Sequence, residues 1–439
     1  MRLRLVLLLG VLLLAGEAAG IAAQFNRNLS AFIAVDLLQG LAWAGASAVV
    51  ARGLQTRHAM ILILGTAALF RAIALSAPVF LSDDINRYIW DGRVQAAGVN
   101  PYRYVPTDPE LAPLRDNTIF PNINRNNYAP TIYPPGAQML FLLANRLGGT
   151  VLTMKLCLVA IEAVGIWALI LVLQTAGAPR ERILLYAWHP MPVWEIAGSG
   201  HIDAAVVAFV ALALLAASRG RRAWSGAALA GAALVKFFPA VVSPALWRPT
   251  TSNRGDCRWL GALVTAIVIA YIPYIGVGWR VLGFLPGYVA EENLASGSGF
   301  WLLDIVHYAI PLPLFGYLAF AAAVMAGLAI AALHRADDWR SSLAWSTVLA
   351  TAALFFASPH YPWYFVWLVA LLTAVPWWPG WWLTLAAPLL YCDARTGHIP
   401  FWVGLALYGG FAILCSVEVI RQNLLFARPK PGHGVDRST

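Results

Sequence analysis

Long apolar runs alternate along this chain with short polar breaks. Residues 5–23, 31–50, 59–75, 151–173 and 316–333 each approach or exceed the ~17–25 apolar residues that a membrane-crossing helix needs. A membrane β-barrel would read as alternating segments of ~10 residues, so the pattern predicts an all-α polytopic membrane protein. Basic residues set the orientation. Arg2 and Arg4 place the start of the first run in the cytoplasm, and Arg52 and Arg57 mark the return of the second. The third run, 59–81, crosses outward and leads into a polar stretch rich in Asn, Pro and Tyr, from Ser82 to Pro135. The first run also has the basic start, apolar core and small residues of a signal peptide; its removal would leave the remaining orientation unchanged.

Residues 136–147 are too short to span. If they did cross, Arg180, Arg182 and the Arg219, Arg221 and Arg222 cluster would lie outside, so they are expected to form an interfacial or half-inserted helix. Residues 183–197 are expected to cross. Residues 224–247 carry basic clusters at both ends and Lys236 in the middle, which predicts two half-helices meeting at Lys236 on the outer side. The whole chain then forms one integral membrane domain, residues 1–439, of about fourteen crossings at ~20 residues each. It has an external loop at 82–149 bearing juxtamembrane helices and a second at 277–300. The tail, with Arg421, Arg428, Lys430 and Arg437, ends inside. No internal repeat is visible.

Composition agrees. The chain is 60% hydrophobic and 12% charged, with a mean hydropathy of +0.68, where a soluble chain is about a quarter charged. The net charge of +9 comes from scattered arginines rather than a basic face interleaved with aromatics, which argues against a nucleic-acid partner. Lys155, Lys236 and Lys430 are the only lysines. The four cysteines are widely spaced and form no CxxC pair, so they read as small core residues. No GxxxxGK[ST] or HExxH sequence occurs, and nothing supports a cytoplasmic nucleotide-sugar site.

An ionisable residue in or beside a span is costly and is a functional candidate. Asp83, Asp84, Lys155, His201, Asp203, Lys236, Glu291, Glu292, His307, His360, Asp393 and His398 all fall toward the outer side of this topology. In Ser82-Asp83-Asp84-Ile85-Asn86-Arg87-Tyr88, the acids are either ordinary helix-start residues favoured by the macrodipole or a carboxylate aimed as a general base. Lys236-Phe237-Phe238-Pro239 places a lysine that either snorkels to the interface or meets a phosphate. Gly198-Ser199-Gly200-His201-Ile202-Asp203 is a tight glycine turn, or a His oriented by Asp203 toward a phosphate or sugar hydroxyl. In Ser358-Pro359-His360-Tyr361-Pro362-Trp363-Tyr364, an interfacial aromatic belt accounts for the rings but not for His360 between two prolines.

These pieces, in this order and together with Asn100-Pro101-Tyr102 and Tyr133-Pro134-Pro135-Gly136, resemble the multi-spanning glycosyltransferases of the GT-C class. The nearest likeness is to the bacterial polyprenol-phosphate-mannose-dependent α-mannosyltransferases of glycosyltransferase family 87. The resemblance covers residues 82–364. It departs from the family in showing two adjacent acids where one is usual, and three spans before the acidic loop where the wider class usually has one.

The resemblance implies an inverting transfer of a sugar, mannose by family habit, from a polyprenyl-phosphate carrier to a glycan, lipid or glycolipid acceptor. The reaction would take place at the outer face of a bacterial inner membrane. Asp84, with Asp83 as the alternative, would be the base. Lys236, then His360 and His201, would hold the donor phosphate, and Arg87, Tyr88, Asp203, Tyr133, Tyr361 and Tyr364 would line the substrate sites. No cofactor and no metal is implied, although the acids keep a metal as a second option. A transporter or flippase of lipid-linked glycans is the competing reading, but it would need inverted repeats and an ionisable path across the membrane. A transferase of acyl or phospho groups would favour a His or Ser nucleophile at the loop start.

Overall fold

The computed structural model describes residues 1–54, 57–247, 257–335, 338–393 and 400–426. His398, Arg428, Lys430 and Arg437 lie outside them, as does the side chain of Asp393. The described residues form an all-α membrane protein without strands. Six of its helices are long and apolar enough to cross a bilayer, and four shorter apolar helices accompany them.

The first three runs become helices α1 (Arg2–Phe25), α2 (Leu29–Ala51) and α3 (Arg57–Ala74). The Asn28 side chain caps α2 by accepting the amide of Ala31 at 3.0 Å. Two short helices follow: α4 (Asp84–Ala96) and, beyond an irregular loop, α5 (Pro135–Arg146), which starts on the proline pair that no preceding helix could continue through. They pack so closely that a side chain at Gly92 would collide with the carbonyl of Phe141. The short helix expected at 136–147 is present as α5, braced by α4.

Helix α6 (Val151–Thr175), capped by Thr150, turns Met154, Lys155, Leu158, Glu162, Gly165 and Leu169 inward, the spacing of one helical face. That face meets α7 (Asp203–Ser218). Helix α8 (Arg222–Val235) packs on α7 and on α9 (Cys257–Tyr271). The C-terminal part comprises α10 (Leu314–Arg335), α11 (Trp339–Ala357), α12 (Val366–Ala374), α13 (Trp378–Ala386) and α14 (Gly410–Phe426). All nine residues of α12 are buried, as befits a helix that is apolar all round. By contrast, α10 presents Phe315, Leu318, Phe320 and Ile330 outward, the face that lipid would cover.

Two expectations change in detail. Residues 183–197 do not form one continuous crossing. They break into a 3-10 turn at Arg180–Ile183, a helical turn at Leu184–Ala187, a further turn at Pro190–Pro192 and a π-helical turn at Val193–Gly198. Pro190 and Pro192 lack the amides an α-helix requires. The broken backbone is buried, which is where a membrane protein tolerates it.

Ionisable groups also occur deep within the helices, not only toward one side. Arg71 on α3 makes a bidentate pair with Glu162 on α6, at 2.8 Å from Nε and 2.7 Å from Nη2. Tyr186 of the broken segment donates to the same carboxylate at 3.0 Å. Glu17, Asp36 and Glu195 are buried as well.

Candidate active site

The polar loop after α3, the break after α8, the segment 284–292 and the turn before α12 converge on one cavity of about 1140 Å³. Asp83, Asp84, Arg87, Tyr133, Lys236, Tyr361 and Tyr364 line it together, so residues as distant as 83 and 364 share one cavity.

The acids do not cap α4 with their side chains. Asp83 occupies the N-cap position without accepting a backbone amide, and the Ser82 hydroxyl takes the amide of Asp84 at 3.3 Å. Both carboxylates instead face Asn124, whose amide donates to Asp83 at 2.9 Å and to Asp84 at 3.1 Å. Asp84 has a second neighbour, the Tyr133 hydroxyl, 3.3 Å from its other oxygen. Asp83 is exposed and Asp84 is half-buried.

The phenols of Tyr88 and Tyr133 are pushed well up, first by burial and then by the charge of Asp84, so they remain protonated at any physiological pH. Tyr88 is fully buried and stacks on Phe141 at 4.6 Å. It supports Tyr133 from behind, with the two hydroxyls 3.4 Å apart, rather than facing the cavity as a substrate contact would. Arg87 reaches the cavity lining, but its guanidinium donates to the carbonyls of Ala129 and Pro130 at 2.6 and 3.2 Å. It holds the loop in shape.

Lys236 lies where the sequence put it, in extended backbone between α8 and the 3-10 turn Phe238–Val242. Its partner differs from the expectation. Its ammonium donates to Asp203, at the first turn of α7, over 2.6 Å, and Asp203 is fully buried. Asp203 therefore serves Lys236 and not His201. The lysine also sits 5.0 Å from the Tyr364 ring centroid.

His201 is buried beneath this layer, against Trp363 at 4.1 Å, and does not line the cavity, so direct contact with a phosphate is not available to it. Gly200, at φ +80°, leaves no room for a side chain beside Ile85, and this turn drives the imidazole inward. Burial pushes His201 down to about 4. His360 sits in an adjoining recess of about 220 Å³ that shares Tyr361 and Tyr364 with the main cavity. Its Nδ1 lies 2.7 Å from Glu292 and its Nε2 2.7 Å from the carbonyl of Gly299, while Trp301 stacks on the ring.

Asn124, Arg125 and Tyr288 join the cavity without having been singled out in the sequence. Asn124 and Arg125 hide in a polar loop with no apolar pattern around them, and Tyr288 lies among many aromatics. Arg125 pairs with Glu291 and lies 3.8 Å from Glu292. The two loops are also joined through the backbone. The amide of Phe284 donates to the carbonyl of Thr131 at 3.0 Å, and Gly283, at φ +59°, is pressed against that carbonyl with no space for a side chain. Among the described residues, no group of three or more His, Cys, Asp or Glu side chains is arranged to hold a metal ion.

A helical membrane protein with paired acids and a lysine lining the same cavity is the class that the fold and the cavity define. Residues 29–249, just over half of the 439, match the family described as alpha-(1->6)-mannopyranosyltransferase, N-terminal domain. The chain belongs to that family and is a membrane glycosyltransferase. It is also similar to the alpha-(1->6)-mannopyranosyltransferase A of Mycobacterium tuberculosis (strain ATCC 25618 / H37Rv). The two are 22% identical over 372 residues, covering 75% of this chain and 68% of the relative. No solved structure matches it significantly.

Proposed function

We propose that this protein transfers a mannosyl residue from a polyprenyl-phosphate carrier to a glycan, lipid or glycolipid acceptor, at the outer face of a bacterial inner membrane. The observation that carries the reading is the placement of Asp84. It is half-buried, held by Asn124 and Tyr133, and lines the same cavity as Lys236.

An acceptor hydroxyl oxygen attacks the anomeric carbon of the donor, and the bond from that carbon to the phosphate oxygen breaks with its electron pair. The hydroxyl proton passes to Asp84, and a single displacement inverts the anomeric centre. A carboxylate in that role is typically worth ~10²–10⁴-fold. The departing phosphate gains charge, which Lys236 stabilises from the break after α8, while His360, held by Glu292 and the Gly299 carbonyl, shapes the adjoining recess and does not reach it. Tyr361 and Tyr364 line the part of the cavity that would take the sugar. The outward placement rests on the basic residues of the cytoplasmic turns.

Purified protein in lipid nanodiscs, given polyprenyl-phosphate mannose and a mannan acceptor, should release polyprenyl phosphate. Asp84→Asn should lower turnover ~10²-fold or more while donor binding persists. Loss in Asp83→Asn with full activity in Asp84→Asn would exchange the two roles, and activity in both would overturn the mechanism. Translocation of the carrier without its release would mark a flippase instead.

A further inference from the structure

Three cationic side chains line the cavity among the described residues: Arg87, Lys236 and Arg125. Two of them are committed. The buried Arg87 is spent on backbone carbonyls, and Lys236 can meet the phosphate only while staying on Asp203, a carboxylate with no exposure of its own that would otherwise be stranded. Arg125 is different. Its partners, Glu291 and Glu292, keep 29% and 10% of their side chains exposed, so water can take over their solvation when the guanidinium leaves. Its position is also built. Arg125 holds a left-handed backbone, φ +53°, unusual for a residue with a side chain. It directly follows Asn124, whose amide touches both Asp83 and Asp84. The Tyr288 ring lies 5.7 Å from its guanidinium carbon.

A guanidinium takes a carboxylate or a phosphate through the same planar fork of donors. We infer that Arg125 is a direct ligand of the donor's phosphate, and that the phosphate takes Arg125 over from Glu291 and Glu292. This rests on the polyprenyl-phosphate reading above and adds to it a binding residue and an exchange. The glutamates compete with the donor for one cation, and the segment bearing them loses its side-chain tie to the acidic loop when the donor binds, while the backbone bond from Phe284 to Thr131 stays. Glu292 keeps a second partner in His360, so it has a place to go.

The exchange sets two substitutions against each other. In nanodiscs, binding of undecaprenyl phosphate is compared with binding of undecaprenol, the same chain without the phosphate. Wild-type protein should prefer the phosphate. Arg125→Gln should lose at least about tenfold in affinity for the phosphate and nothing for the alcohol, and Arg125→Lys should fall between. Glu291→Gln should bind the phosphate more tightly than wild type, because a competitor has been removed. If the bridge were only a structural latch, both substitutions would act in the same direction, and weaker or unchanged binding by Glu291→Gln overturns the inference even where Arg125→Gln fails to fold. A wild-type protein that does not distinguish phosphate from alcohol would sink the carrier reading itself and the inference with it.

Discussion

At the scale of single residues, the sequence carried identities better than partnerships. Tyr133, Tyr361 and Tyr364 came only through the family resemblance, whereas Asp83, Asp84 and Lys236 were legible because a charge beside a lipid-length run is expensive without a purpose. Their partners were not, because Lys236 meets Asp203 from 33 positions away and nothing local encodes that. The pair makes its own prediction. Lys236→Met leaves Asp203 buried alone and should cost ~3–5 kcal/mol of stability. Adding Asp203→Asn should recover most of that loss in thermal unfolding without restoring turnover. Recovery of both would make the pair purely structural.

His201 gives a pH signature. Its folded value is depressed from the ordinary 6.5 to about 4, so the unfolded chain binds its proton first as pH falls. The stability present above pH 6.5 should therefore drain away between about 6.5 and 4. The melting temperature of the detergent-solubilised protein should fall across that window, and should fall less in His201→Asn.

At the scale of elements, the apolar runs foretold most helices, including the short α5 and the break at Lys236. The reading failed at 183–197, where hydropathy overrode the local message of Pro190 and Pro192. It also passed over Arg71 and Glu162, single charges within otherwise apolar runs. The structure joins these two with Tyr186, and the knot pins α3, α6 and the broken segment together where helical hydrogen bonding gives out. Glu162→Ala, which leaves a buried guanidinium unpaired, should lose ~3–5 kcal/mol and express poorly. Replacing both charges, as in Arg71→Met with Glu162→Leu, should be far milder. Thermal unfolding in detergent separates the two outcomes.

At the scale of the whole molecule, the membrane class was written in the composition, whereas the cavity depends on contacts between loops more than a hundred positions apart. Sidedness is testable on the intact chain. In a background lacking Cys157, Cys257, Cys392 and Cys415, single cysteines at Asp83 and Arg125 should react with a membrane-impermeant maleimide added outside sealed cells. A cysteine at Arg219 should react only after the membrane is opened. Labelling of Asp83→Cys from the cytoplasmic side alone would reverse the orientation.

The seam between Thr131 and Phe284 has a consequence for biogenesis. The acids are made early, but the stretch of chain that seals them in, starting at Phe284, emerges about 200 positions later, and Tyr361 and Tyr364 later still. A nascent chain halted before that seam holds its aspartates on an unroofed ledge. Catalytic competence is thus acquired near the end of membrane insertion, after most of the helices have been laid into the bilayer.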